Sequence, residues 1–124
     1  MALQSFKDLV VWQKAQELSL DIYREFSSCK DYGFKDQIQR ATLSIMNNVA
    51  EGYGRRSDRA LINFLNIARG SAAEVESMIF MAHKLGYIDL NTQNRLLRQI
   101  DEVAKLLTAF INKINSDTKL TASR

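Results

Sequence analysis

Apolar residues recur at three- and four-residue steps along most of this chain, the pattern of helices that each bury one face. Between residues 8 and 29, Val11, Ala15, Leu18, Ile22, Phe26 and Cys29 fall on one side of a first helix, and Ser5 with Asp8 has the spacing of a capping box ahead of it. A second helix, 36–52, turns Ile38, Ala41, Ile45 and Val49 inward. Asp36 and Gln39 repeat the box at its start, and Gly52 and Gly54 stop it. The third, 57–85, has Ser57 as N-cap and a seam of Leu61, Leu65, Ala68, Ala72, Val75, Ile79 and Ala82, whose spacing alternates between four and three until Gly86 ends it. A fourth, 90–115, is capped by Asp89 or Asn91 and buries Leu97, Ile100, Ala104, Leu107, Ile111 and Ile114. Residues 116–124 read as a frayed tail.

No segment alternates with period two over enough residues to predict a strand, and the links between helices are too short for long crossovers. Proline is absent, and the five glycines stand mainly at the expected joints. The prediction is an all-α chain: one up-down-up-down antiparallel four-helix bundle spanning residues 1–124.

The third helix carries more apolar surface than such a bundle covers. At 1.5 Å per residue it is about 42 Å long, against about 25 Å for the second. On a helical wheel its apolar arc runs from Met81 through Ile67, Met78, Phe64 and the seam round to Ile62 and Phe80, about 260°. The opposite stripe, Asn66, Gly70, Ala73 and Ser77, is small enough for close backbone approach. Self-association is therefore expected, with Ile62, Asn66, Gly70, Ala73, Ser77 and Phe80 at the interface.

Composition narrows the function by exclusion. With 124 residues, 46% hydrophobic and 25% charged, the chain has the profile of one ordinary globular domain. It has no apolar run long enough to span a bilayer and no secretory leader, so a cytoplasmic location without membrane contact is expected. A single cysteine, Cys29, and a single histidine, His83, cannot build a disulfide or a His/Cys metal cage. None of the six glutamates has a histidine three residues later, which removes the di-iron site that bundles of this kind carry. Gly52-Tyr53-Gly54 lacks the lysine and the preceding strand of a phosphate loop, and Asn47 and Asn48 read as amides joining helices. No catalytic residue, metal or cofactor is expected, and the protein reads as a non-enzyme.

Charge supplies the positive signal. The net charge is only +3, yet Arg55, Arg56 and Arg59 cluster at the joint between helices two and three with Asp58 alone against them. Arginine's planar fork suits phosphate oxygens, and the start of helix three adds a partial positive charge. Lys35, Arg40 and Arg69 extend the candidate surface at other levels, and an oligomer would repeat it. Structured RNA or DNA is the expected partner. The alternative is a scaffold or adaptor that recruits another protein, such as a reverse transcriptase, through exposed helical faces.

Several stretches also resemble a known family. Trp12-Gln13, Gln37-Ile38-Gln39-Arg40-Ala41, Asn48-Val49-Ala50-Glu51-Gly52, Ala68-Arg69-Gly70-Ser71 and Leu85-Gly86-Tyr87-Ile88 are similar to the bacterial four-helix proteins of intervening sequences in 23S ribosomal RNA genes. The resemblance covers about residues 6–114 and extends to accessory proteins of diversity-generating retroelements. It implies a ring-like homopentamer with a central channel, for which RNA binding is the usual suggestion. It also gives Glu51 the job of pairing with Arg55 and Arg56, and Gly70 and Ser71 that of admitting a neighbouring helix. Ser28-Cys29-Lys30-Asp31-Tyr32-Gly33 departs from the Phe-Pro loop common in the family.

Overall fold

The computed structural model describes residues 5–122, and their side chains through residue 117. A single 3-10 turn, Phe6–Asp8, leads into four helices: α1 (Val10–Glu25), α2 (Tyr32–Tyr53), α3 (Asp58–Lys84) and α4 (Leu90–Ala122). The described residues contain no strand. Each helix packs on two others, α1 on α2, α2 on α3, α3 on α4 and α4 on α1, while the backbones of the diagonal pairs stand further apart. The result is a four-helix bundle around one core.

The register of the pairs follows from their polar contacts. Lys14 of α1 reaches Glu102 of α4 at 3.5 Å, whereas Asp21 and Glu25, further along α1, meet Arg95, earlier in α4. Between α2 and α3, Gly52 faces Leu61 and Phe64, Ser44 meets Ser71, and Gln37 meets Glu74.

Inside, Leu18, Ile22, Ile38, Ile45, Leu65, Ile79, Leu96, Ile100 and Leu107 are all but sealed from solvent. The seams expected for the second and third helices are buried, apart from Leu61 at the start of α3, which is half-buried. On α4 the seam is rotated by one residue at two places: Leu96 and Val103 are buried while Leu97 is only half-buried and Ala104 partly exposed. Both choices preserve a three/four spacing, so periodicity alone does not separate them.

The ends of the helices differ more. Ser5 caps the 3-10 turn by accepting from the Lys7 N–H at 3.2 Å, not α1, whose N-cap is the uncapped Leu9. α1 stops at Glu25, and Phe26 stays fully buried because the chain turns there to lay its ring against Phe34, 5.9 Å away. α2 begins four residues before the expected position, since Asp31, not Asp36, accepts the first-turn N–H, from Phe34 at 3.1 Å. Asp36 pairs instead with Arg40 at 2.8 Å.

With 22 residues in α2 and 27 in α3, their lengths differ by only about 7 Å at 1.5 Å per residue. The expected shortfall between helices two and three largely disappears. The tail expected to fray from residue 116 continues α4 to Ala122, as no glycine or proline interrupts it after the buried Ile111 and Ile114; residues 123 and 124 lie outside the described part.

Candidate nucleic-acid interface

The α2–α3 joint is built by close packing. Gly52 is buried inside the last turns of α2, and a β-carbon there would stand 2.8 Å from Phe64 Cβ and 3.1 Å from Leu61 Cδ1. α2 ends at Gly54, and Ser57 opens α3 by accepting from the Ala60 N–H at 3.1 Å. Only three residues, 55–57, separate that glycine from α3, so the three arginines are held within about one turn of each other.

Their roles differ. Arg55 donates to Glu51 Oε1 at 2.7 Å and lies over the Phe64 ring with its guanidinium carbon 4.9 Å from the centroid. An exposed pair of this kind is worth about 0.5 kcal/mol, and the ring contact about 0.5–1 kcal/mol more, so Arg55 is oriented by the joint itself. Glu51 engages Arg55 alone of the two arginines expected to share it. Arg56 and Arg59 are exposed.

The other candidates stand elsewhere. Lys35 is about 30 Å from Arg55 along α2, and its Nζ donates to the Ser27 carbonyl at 3.0 Å, closing the corner after α1. Arg40 is held by Asp36, and Arg69 donates to Asn66 at 3.5 Å on the flank of α3. Within one chain, therefore, Arg55, Arg56 and Arg59 are brought together, and Lys35, Arg40 and Arg69 are not.

On the outer side of α3, Asn66, Gly70, Ala73 and Ser77 are exposed, and a β-carbon on Gly70 would meet nothing within 4 Å. This stripe has apolar banks, with Ile67 and Met81 exposed by 53% and 51% on one side and Phe80 by 48% on the other. Ile62, Phe64 and Met78, also in the predicted apolar arc, are wholly or partly covered by the chain's own helices. Ser71 turns inward and donates to Ser44 at 2.9 Å, so the neighbouring helix it meets is α2 of the same chain. Trp12 is half-buried and meets Phe6 edge-on at 5.2 Å. Asn48 donates to Ser44 within α2 rather than across helices.

Two features went unread in the sequence. One is the polar seam between α2 and α3, signalled only by Gly33, Ser44 and Ser71 at small positions, which opens a cleft of about 500 Å³. The other is the corner at Asp31. Its carboxylate accepts from the Tyr87 hydroxyl at 2.6 Å and from the Phe34 N–H, and these bonds hold it below the ordinary carboxylate range. The same bond pushes the Tyr87 phenol up to about 12. Among the described residues, no group of three or more His, Cys, Asp or Glu side chains is arranged to hold a metal ion, and no helix is long and apolar enough to cross a membrane.

Residues 7–109 match the model of the 23S rRNA-intervening sequence protein family. The chain belongs to this family. The bundle is also similar to the 1.70 Å crystal structure of a protein of unknown function from the S23 ribosomal protein family of Bacteroides thetaiotaomicron VPI-5482. The two are 29% identical with a TM-score of 0.78, over 82% of this chain and 98% of that one. No protein of curated function matches the chain.

Proposed function

We propose that this protein is a non-enzymatic, up-down-up-down bundle that assembles with copies of itself and offers its arginine joint, repeated around the assembly, to structured RNA or DNA. The observation that carries the reading is the joint: three exposed arginines within about one turn, one of them held by Glu51 and Phe64. The crossing order of the α1–α4 and α2–α3 contacts supports the antiparallel connectivity. The outer stripe of α3, with its apolar banks, supports assembly through Ile62, Asn66, Gly70, Ala73, Ser77 and Phe80. Five subunits in a ring are what the family resemblance implies.

In such an assembly each copy supplies one joint, while Lys35, Arg40 and Arg69 add positive charge at other levels. Phosphate contacts made this way release counterions, so affinity falls steeply with salt. The test is a salt titration of binding to a structured RNA. Arg56→Ala with Arg59→Ala is expected to flatten the slope of log K against log salt by about 1.4 for single-stranded contacts. Binding that ignores both salt and these substitutions contradicts the reading.

A second reading, a protein adaptor, is favoured by an apolar notch of about 300 Å³ between α1 and α2, where Leu20 and Tyr23 are exposed beside Leu43 and Met46. An adaptor keeps its protein partner after nuclease treatment, whereas a nucleic-acid binder releases it.

A further inference from the structure

We propose that Arg59 stands on the boundary between two copies in the assembly, so that the nucleic acid it holds and the copy beside it each tighten the binding of the other. The proposal rests on both parts of the reading above, self-assembly through the outer side of α3 and phosphate binding at the joint, and adds the coupling between them.

The arginines of the joint do not face one way. Arg55 lies over the ring of Phe64, on the side of α3 that packs against Gly52 of α2. Arg59 precedes Phe64 by five residues, so at 3.6 residues per turn it stands about 140° away around the helix. That turns it out of the α2–α3 contact and onto the outer side.

There it begins a line. From Arg59 an exposed stripe steps by four and three residues through Asn66, Gly70, Ala73 and Ser77 to Lys84, and it carries no charge between its two ends. The end cations are about 37 Å apart along the helix. Glu74, beside the stripe, is turned toward α2, where Gln37 donates to it at 3.3 Å. A neutral centre with charge only at the rim is the pattern of a protein–protein interface, whose core is depleted of charged residues. A copy packed on the neutral stretch therefore has Arg59 at its edge.

The direction of the side chain places it further. The Cα–Cβ bond of a helical residue tilts toward the helix N-terminus, so Arg59, the second residue of α3, leans past the first turn rather than back over the stripe. Its charge thus stays in water at the interface edge, where it escapes the cost of burying an unpaired charge and remains open to a phosphate. A ring of parallel bundles sets the joint of the next copy at the same end. A phosphate held by Arg59 then offsets the repulsion between neighbouring joints, and binding and assembly become linked, each changing the other by the same factor.

Fluorescence-detected sedimentation of the dye-labelled full chain gives the concentration at which half of it is assembled, with and without a saturating RNA hairpin. Titration gives the affinity of that hairpin for the natural chain and for the single-chain variant Ile67→Glu. RNA is expected to lower the half-assembly concentration about ten-fold, and the assembled chain to bind RNA about ten-fold more tightly than Ile67→Glu. Arg56→Ala weakens RNA binding and keeps the ten-fold ratio. Arg59→Ala brings the ratio near one, yet assembles without RNA as the natural chain does. Equal loss of the ratio in the two variants overturns the proposal, because RNA then merely tethers independent joints. So does an Arg59→Ala variant that assembles poorly without RNA, which makes Arg59 an ordinary contact residue. RNA bound equally well by the natural chain and Ile67→Glu leaves the nucleic-acid reading and removes the linkage, whereas no binding by either removes the reading itself. Arg56, Arg59 and Ile67 are all exposed, and unchanged helical circular dichroism confirms that each variant folds.

Discussion

Gly52 of α2 lies so close to Phe64 of α3 that a β-carbon on the glycine would stand 2.8 Å from Phe64 Cβ. The two helices meet through that contact, and Arg55 lies across the same ring. Gly52→Ala forces backbone or ring to move, at a cost of about 1–3 kcal/mol for overpacking that outweighs alanine's better helix propensity. Urea unfolding should show the loss. An unchanged midpoint would mean that the joint is looser than described.

The register of α4 gives a sharper contrast. Leu96 is sealed from solvent and Leu97 only half-buried. Leu96→Ala should cost about 2–5 kcal/mol and Leu97→Ala about half that or less. The reverse order, read from unfolding midpoints, would restore the seam expected from spacing.

The contrast also shows what could be read from the residues. Helix two announced its buried face because one apolar stripe ran through it, and helix three because its seam kept an unbroken four/three spacing although Ile67, Phe80 and Met81 beside it stay exposed. In α4, Leu96 and Leu97, and then Val103 and Ala104, are adjacent apolar pairs, and only packing against α1 and α3 chooses between them. The start of α2 was misplaced because Asp31 and Asp36 are both good caps; Tyr87, 56 residues further on, holds Asp31 and decides the matter. At the candidate site, the arginine cluster was legible as a local run. The α2–α3 cleft was not, because it is made by residues that are far apart in the chain.

The Asp31–Tyr87 bond makes stability depend on pH at both extremes. Asp31's folded value lies below its ordinary 3.8, so its contribution is present above that value and lost as pH falls through the lower folded one. Tyr87 is raised from 10.0 to about 12, so its contribution is complete below 10.0 and lost as pH climbs through about 12. The stability difference between the natural chain and Tyr87→Phe should be constant across the neutral range and shrink at both ends. A difference that persists in strong acid would show that the bond is not its source.

Gly70 separates chain stability from assembly. Within the chain nothing lies near the β-carbon it lacks, so Gly70→Ala should stabilise the helix by up to about 1 kcal/mol where copies are too dilute to associate. If a neighbouring backbone packs there, the same substitution weakens association, and unfolding followed over a range of concentrations resolves the two effects. Stabilisation with unchanged association would remove Gly70 from the interface.

Assembly through the outer face of α3 is the claim on which the repeated basic surface depends, and sedimentation equilibrium tests it most directly. At micromolar concentration the account predicts a mass several times the 14.2 kDa chain, five-fold for the proposed ring, that falls toward the single chain on Ile67→Glu. A 14.2 kDa species at every concentration would contradict it.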